Sequence, residues 1–297
     1  MQRVLSTYMF IHRKLTPALL AEIARASIPA VELFCERPHF DYRELQEVRE
    51  LAGRFSEERL TVHSLHAPTD RDLVPGRESG VPISLCDLER IRRLDAVDEV
   101  KRALEVAEFI PFRYLVQHLG TARDSPDPRR WDAAFSSLEP LEVFAKQRGV
   151  TIALENTPGE LATPENLRHF IEETHLNDLR LCFDTGHAHM EGGVENSFQV
   201  MGELVVTTHV HDNHGERDEH LLPYEGNINW DATLKAMAGA VLNGLPIALE
   251  LKEQALPALA QASVTSALRA AQGVFDRFEQ ALASQSPGPS GARTLPG

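Results

Sequence analysis

Short apolar runs alternate along the chain with longer stretches whose apolar residues recur at helical spacing. The runs that read as strands are Val4 to Phe10, Ala30 to Phe34, Leu60 to His66, Tyr114 to Leu119, Val150 to Glu155, Leu179 to Asp184, Val205 to His209 and Pro246 to Leu251. The stretches that read as helices are Thr16 to Ser27, Tyr42 to Phe55, Leu88 to Phe109, Pro128 to Arg148, Pro164 to Thr174, Glu195 to Leu204, Trp230 to Leu242 and about Pro257 to Leu282. Thr16 is a cap with proline in the first turn behind it, and Asn229 marks another helix start. Ala67 to Ser84 carries three prolines and two glycines and reads as an active-site flap or an irregular loop. Strand–helix units in this number predict a (β/α)8 TIM barrel, with its active site at the C-terminal ends of the strands. A doubly wound sheet is the alternative, but the first strand is not followed by the glycine-rich turn typical of that fold. No short-period repeat interrupts the alternation. One domain is expected over residues 1–284, followed by a Pro/Gly/Ser-rich tail, 285–297, expected to be disordered.

Composition narrows the class. The chain has 297 residues, 42% hydrophobic and 25% charged, which is ordinary for a soluble globular protein. The three cysteines, Cys35, Cys86 and Cys182, show no paired spacing, so a disulfide framework is not expected and a reducing cytoplasm fits. The start MQRVLSTYMF has no basic region followed by a long apolar one, so no signal peptide is expected. No apolar run approaches the roughly 20 residues of a membrane span. The net charge of -14 offers no broad attraction to a phosphate backbone and argues against a nucleic-acid partner, although bound metal ions would add positive charge locally.

The chemistry gathers at the ends of the apolar runs. The densest stretch is Val205 to Trp230, where His209, His211, Asp212, Asn213 and His214 follow a β-branched run and Asp218 and His220 come soon after. Imidazoles and carboxylates are the ligands of a zinc- or manganese-type ion. Other strand ends carry His66, His118, Glu155, Asp184 with His187 just beyond, and Glu250. His63 lies nearer the middle of its strand and reads as a core residue. Glu155 and Glu250 lie inside apolar runs, where a carboxylate is costly to bury without a strong partner. A metal ion at the barrel mouth is the simplest partner they can share.

The motifs LENTPG, FDTGHA, HVHDN followed by DEHLLPYEGNINW, and ALELK, with LHAP and QHLG upstream, resemble the xylose-isomerase-like barrel superfamily. That group holds sugar-phosphate isomerases and epimerases and also the endonuclease IV type of DNA-repair enzyme. The resemblance to ketose epimerases implies one divalent ion held by Glu155, Asp184, His209 and Glu250, with His187 touching substrate. The resemblance to the repair branch implies three zinc ions on His66, His118, Glu155, Asp184, His187, His209, Asp218, His220 and Glu250. The ligand set does not separate the two. The early segments STYMFIHRK and AVELFCERP look more like the isomerase side, and Asp184-Thr185-Gly186-His187 lacks the cysteine of the repair branch. Tyr224 stands where many relatives have glycine.

The resemblance therefore implies a divalent-metal-dependent sugar or sugar-phosphate isomerase or epimerase, with a place in carbohydrate metabolism. It would act by proton transfer through an enediolate, with Glu155 and Glu250 moving the proton and His187 stabilising a substrate oxygen. Its cofactor would be Mn, Zn, Mg or Co, its partner a small carbohydrate, and a homo-oligomer is compatible with it. Asn156, Asp212 and Asn213 are the candidate supports for the ligands. The alternative is zinc-dependent phosphodiester hydrolysis at abasic sites in DNA. A lyase or dehydratase on a sugar-derived acid, or a sugar-binding barrel without catalysis, is a more distant reading.

Overall fold

The computed structural model describes residues 1–71, 80–252 and 264–285. Eight parallel strands form its main sheet: β1 Arg3–Ser6, β2 Ala30–Phe34, β3 Thr61–His66, β4 Tyr114–Gln117, β5 Thr151–Glu155, β6 Arg180–Asp184, β7 Val205–His209 and β8 Ile247–Leu249. They pair in the order β8-β1-β2-β3-β4-β5-β6-β7. The ring nearly closes through a parallel bridge between Val210, just past β7, and Leu249 of β8. Along that seam Thr208 replaces backbone pairing. Its Oγ1 donates to the Pro246 carbonyl at 2.9 Å and accepts the Ala248 amide at 3.2 Å.

The helices lie between the strands: α1 Pro17–Arg25, α2 Leu45–Glu57, α3 Arg90–Glu105, α4 Pro128–Lys146, α5 Pro164–Thr174, α6 Thr185–Met190, α7 Val194–Met201, α8 Trp230–Leu242 and α9 Val264–Gln285. Several start at residues chosen for it. Thr16, Asp127, Thr163 and Asn229 each accept a first-turn amide with the side chain, and proline opens α1, α4 and α5. Each such cap contributes about 1 kcal/mol. No helix among the described residues is long and apolar enough to cross a membrane.

Alternation along the strands separates two surfaces. Leu5, Val31, Leu33, Leu65, Leu115, Ile152, Leu154, Leu181, Phe183 and Leu249 join the large apolar core with the helices. The residues between them are small and form two clusters of their own, Val4, Ala30 and Ala248, and Val116, Ala153 and Cys182. Two residues further along the same strands come Glu32, Glu155, Asp184 and Glu250. All four are buried.

Two strands break the regular pairing. Val31 pairs with Val62 but Glu32 with Ser64, so His63 is an extra residue in β3. Leu181 pairs with Val205 but Cys182 with Thr207, so Val206 is an extra residue in β7. Such bulges re-aim the side chains that follow them. Here the residues that follow are His66 and His209.

Several expected elements are corrected. The expected first strand, Val4 to Phe10, ends at Ser6, because Ser6 Oγ caps a 3-10 turn over Thr7–Phe10. The expected helix Leu88 to Phe109 begins at Arg90, and its last turn, Val106–Glu108, tightens to 3-10 geometry. The expected helix Glu195 to Leu204 ends at Met201 in the same way. The fourth strand stops at Gln117, so His118 stands just past it, and Glu250 likewise follows β8. Within Ala67 to Ser84, Asp70–Arg71 pairs antiparallel with Val81–Pro82, and residues 72–79 lie outside the described residues. So do residues 257–263 of the expected last helix and 286–297 of the expected tail; α9 runs to Gln285.

Candidate metal centre

Glu155 stands at the middle of the barrel mouth. Its Oε1 lies 3.1 Å from His209 Nδ1 and 3.4 Å from His187 Nδ1. Its Oε2 lies 3.2 Å from His118 Nε2 and 3.4 Å from His66 Nε2. Glu250 Oε2 approaches the same His209 Nδ1 at 3.4 Å and His220 Nδ1 at 3.6 Å. Asp184 Oδ2 is 3.0 Å from His211 Nε2. Donor atoms of Glu155, Asp184, His209 and Glu250 all lie within 4.8 Å of one another. The same holds for His66, Glu155 and His209, and again for His187, His211, Asp218 and His220.

The nine residues singled out from the sequence therefore surround one mouth, His118 through its contact with Glu155. His63 does not join them. It faces Thr207 Oγ1 at 3.3 Å and Gln2 Nε2 at 3.5 Å, as a core histidine would. Two buried residues were not among the nine. Glu32 Oε1 lies 2.9 Å from His209 Nε2, and its signal was a lone carboxylate in the apolar run AVELF. His211, two residues beyond His209, stacks on His220 with ring centroids 4.0 Å apart.

Backbone groups and amides set the ligand orientations. His66 Nδ1 lies 2.7 Å from the Ala67 carbonyl, His187 Nδ1 2.9 Å from that of Asn156, and His220 Nδ1 3.0 Å from that of Glu250. Asp184 caps α6, its Oδ1 accepting the His187 amide at 2.7 Å, which is why a short helix begins inside FDTGHA. Gly186 is required there: a Cβ would lie 2.0 Å from the His211 ring. Of the expected supports, Asn156 donates to the Asp184 carbonyl at 3.0 Å and accepts its amide at 2.8 Å. Asn213 holds the Gly186 carbonyl at 2.9 Å. Asp212 is hydrogen-bonded instead to the loop: it accepts from the amides of Asn213, Tyr224 and Ile228 and from Trp230 Nε1, tying down the segment that carries Asp218 and His220. One of those bonds holds Tyr224 at a φ of 77°, the left-handed conformation that glycine takes more easily.

Charge in the mouth is strongly coupled. Burial pushes the Glu155 carboxyl up, but the imidazoles of His209 and His118 outweigh it and hold it well below the usual range. Burial, with Glu155 and Glu32 nearby, pushes Glu250 well above its usual range despite His209. Burial pulls His187 and His209 down, yet the surrounding carboxylates hold both imidazoles well above their ordinary value. His220 falls to about 4 through burial and His211.

This donor set fits a divalent ion. Three buried donor atoms, His209 Nδ1, His211 Nδ1 and Asp218 Oδ1, have no hydrogen-bond partner among the described residues. Such atoms are costly unless a cation or proton meets them. Imidazole nitrogen with carboxylate oxygen suits zinc, manganese and similar ions.

A model of the xylose isomerase-like TIM barrel family matches residues 20–271. The Uncharacterized protein MJ1311 of Methanocaldococcus jannaschii is 30% identical over 263 residues, covering 83% of this chain and 82% of its own. A Probable endonuclease 4 of Natronomonas pharaonis is 26% identical over 166 residues, covering 49% of this chain and 58% of its own. Among solved structures, a D-tagatose 3-epimerase-like protein superposes with a TM-score of 0.75 at 23% identity, over 96% of this chain and 98% of its own. The IolI protein with a bound zinc atom gives a TM-score of 0.75 at 17% identity, over 94% and 98%. At these identities the two structures attest the fold.

Proposed function

The chain belongs to the xylose isomerase-like TIM barrel family, and from that premise we propose that it is a divalent-metal-dependent isomerase or epimerase of a small carbohydrate. One observation carries this reading. Two buried carboxylates on separate strands, Glu155 and Glu250, approach a single imidazole nitrogen at 3.1 and 3.4 Å, and their surroundings drive their protonation apart. Pairs of acids driven apart in this way supply a base and an acid at one pH. Glu155, Asp184, His209 and Glu250 would hold the ion. Bound there, it would polarise a carbonyl and stabilise the negative charge that develops as a carbon-bound proton leaves. Glu155 and Glu250, reaching the site from separate strands, would move that proton, one taking it and the other returning one to the opposite face or to the neighbouring carbon. His187, anchored through Nδ1 on the Asn156 carbonyl, presents Nε2 to a substrate oxygen. The epimerase-like structural neighbour and the zinc-bearing one agree with this reading.

The test is hydrogen exchange. The metal-loaded protein, incubated in heavy water with a panel of ketoses and their phosphates, is expected to place deuterium at a carbon next to the carbonyl of its substrate. Absence of exchange and of isomerised product across the panel overturns the reading.

A second reading, phosphodiester hydrolysis, is favoured by a separate observation. His66 and His118 both reach the second oxygen of Glu155, and His187, His211, Asp218 and His220 form a further donor group, so the mouth has ligands for more than one ion. The relative named as a probable endonuclease 4 supports it. Elemental analysis of protein purified without added metal separates the two. One ion per chain favours proton transfer. Three zinc ions, together with cleavage of DNA carrying abasic sites, reverse the ranking.

A further inference from the structure

We propose that Glu32 is a positioning residue that fixes which nitrogen of His209 meets the metal; the inference rests on the metal-dependent reading above. Glu32 lies on β2, a strand that, among the described residues, contributes no donor to the groups around the ion. Its carboxylate is fully buried and has two partners. Oε2 accepts from Ser64 Oγ at 2.8 Å, and Oε1 faces His209 Nε2 at 2.9 Å.

As an ionised carboxylate Glu32 only accepts, and the proton between it and His209 then belongs to Nε2. An imidazole that binds metal must offer a bare lone pair. With Nε2 protonated, that lone pair is on Nδ1. Nδ1 is also the atom 3.1 Å from Glu155 Oε1 and 3.4 Å from Glu250 Oε2, buried and without a hydrogen-bond partner among the described residues. The ring plane is set as well, since His66 stacks against His209 at 5.6 Å with 19° between planes.

The extra residue in β3 makes this arrangement. With regular pairing after Val31, Glu32 would lie beside His63. The shift puts it beside Ser64, whose hydroxyl holds the second carboxylate oxygen and leaves the first for His209. Partners of this kind behind a metal-binding histidine raise its basicity and hold its orientation, and their loss costs about 10–100-fold in metal affinity.

The experiment is a zinc titration of the full chain against a competing chelator, with Glu32→Gln and Glu32→Ala beside the wild type. Glu32→Ala is expected to weaken the tightest site by about 100-fold, and Glu32→Gln, whose amide oxygen still accepts, by about 10-fold. The zinc-loaded, nitrogen-15-labelled wild type should show His209 protonated at Nε2 and ligated through Nδ1 in long-range proton–nitrogen spectra. Zinc on Nε2 overturns the proposal without any variant, so a failure of the variants to fold does not protect it. Wild-type affinity in both variants, even with lowered melting temperatures, also overturns it. Zinc binding that depends on Glu32, with no hydrogen exchange on any sugar, would leave this inference standing and remove the isomerase reading instead.

Discussion

His63 and His209 share the interior of one barrel and meet opposite fates. His63, toward the N-terminal end, faces a threonine hydroxyl and a glutamine amide, and burial lowers its pKa. His209 sits two residues beyond Thr207, one of His63's own partners; burial pulls its pKa down too, but Cys182 and the carboxylates of Glu250, Glu32 and Glu155 raise it well above the usual value. Burial alone disfavours the charged imidazole at both positions. The carboxylates reverse the outcome at one of them. An interior histidine is thus no sign of a site by itself; a histidine bracketed by several buried carboxylates is.

The contrast is broken most directly by removing a carboxylate. Glu250→Gln should lower turnover by about 10²–10⁴-fold, the usual contribution of a general acid or base, and should also weaken metal binding. A variant that keeps full metal content and full activity refutes the assignment of Glu250. Gly186→Ala attacks the same end by packing. The new methyl would strike the His211 ring, so stability should fall by about 1–3 kcal/mol in chemical denaturation, with looser metal binding.

The pH response of the chelator-treated protein sharpens the comparison. A histidine whose pKa is lowered on folding contributes stability that is lost as pH falls through and below about 6.5. One whose pKa is raised contributes stability that is fully present below that value and lost as pH rises through the raised one. Going from pH 8 to pH 5.5, His63→Gln should therefore gain melting temperature relative to the wild type, and His209→Gln should lose it. Parallel curves for the two variants would remove the distinction. The smallest effect is expected far from either end. Gly239 lies inside α8 with nothing within 4 Å of an added methyl, so Gly239→Ala should raise stability by about 0.4–1 kcal/mol and leave metal affinity unchanged.

Much of this was legible in the chain. Pro164–Thr174, Val205–His209 and Trp230–Leu242 have the bounds expected from caps, prolines and β-branched runs, because those signals are local. Glu155, Asp184, His209 and Glu250 stood out because carboxylates and imidazoles closed otherwise apolar runs. What stayed hidden is not local. Glu32 acquires its role only through His209, 177 residues away. The helix Thr185–Met190 was missed because Asp184 serves both as ligand candidate and as helix cap, and TGHAHM has no apolar periodicity to announce it. The two extra residues, His63 and Val206, left no mark in composition at all.

Those two residues make the mouth of the barrel depend on a count. Side chains on a strand alternate in parity, so an odd residue taken into regular pairing exchanges inside for outside downstream of it. The bulges absorb that residue: Ser64 to His66 stay beside Glu32 to Phe34, and Thr207 to His209 beside Cys182 to Asp184. Pulling either strand into regular pairing with every residue kept would turn His66 or His209 toward the helices. Deleting His63 or Val206 would instead leave those partners in place, so either strand can lose its spare residue and keep its histidine facing the mouth.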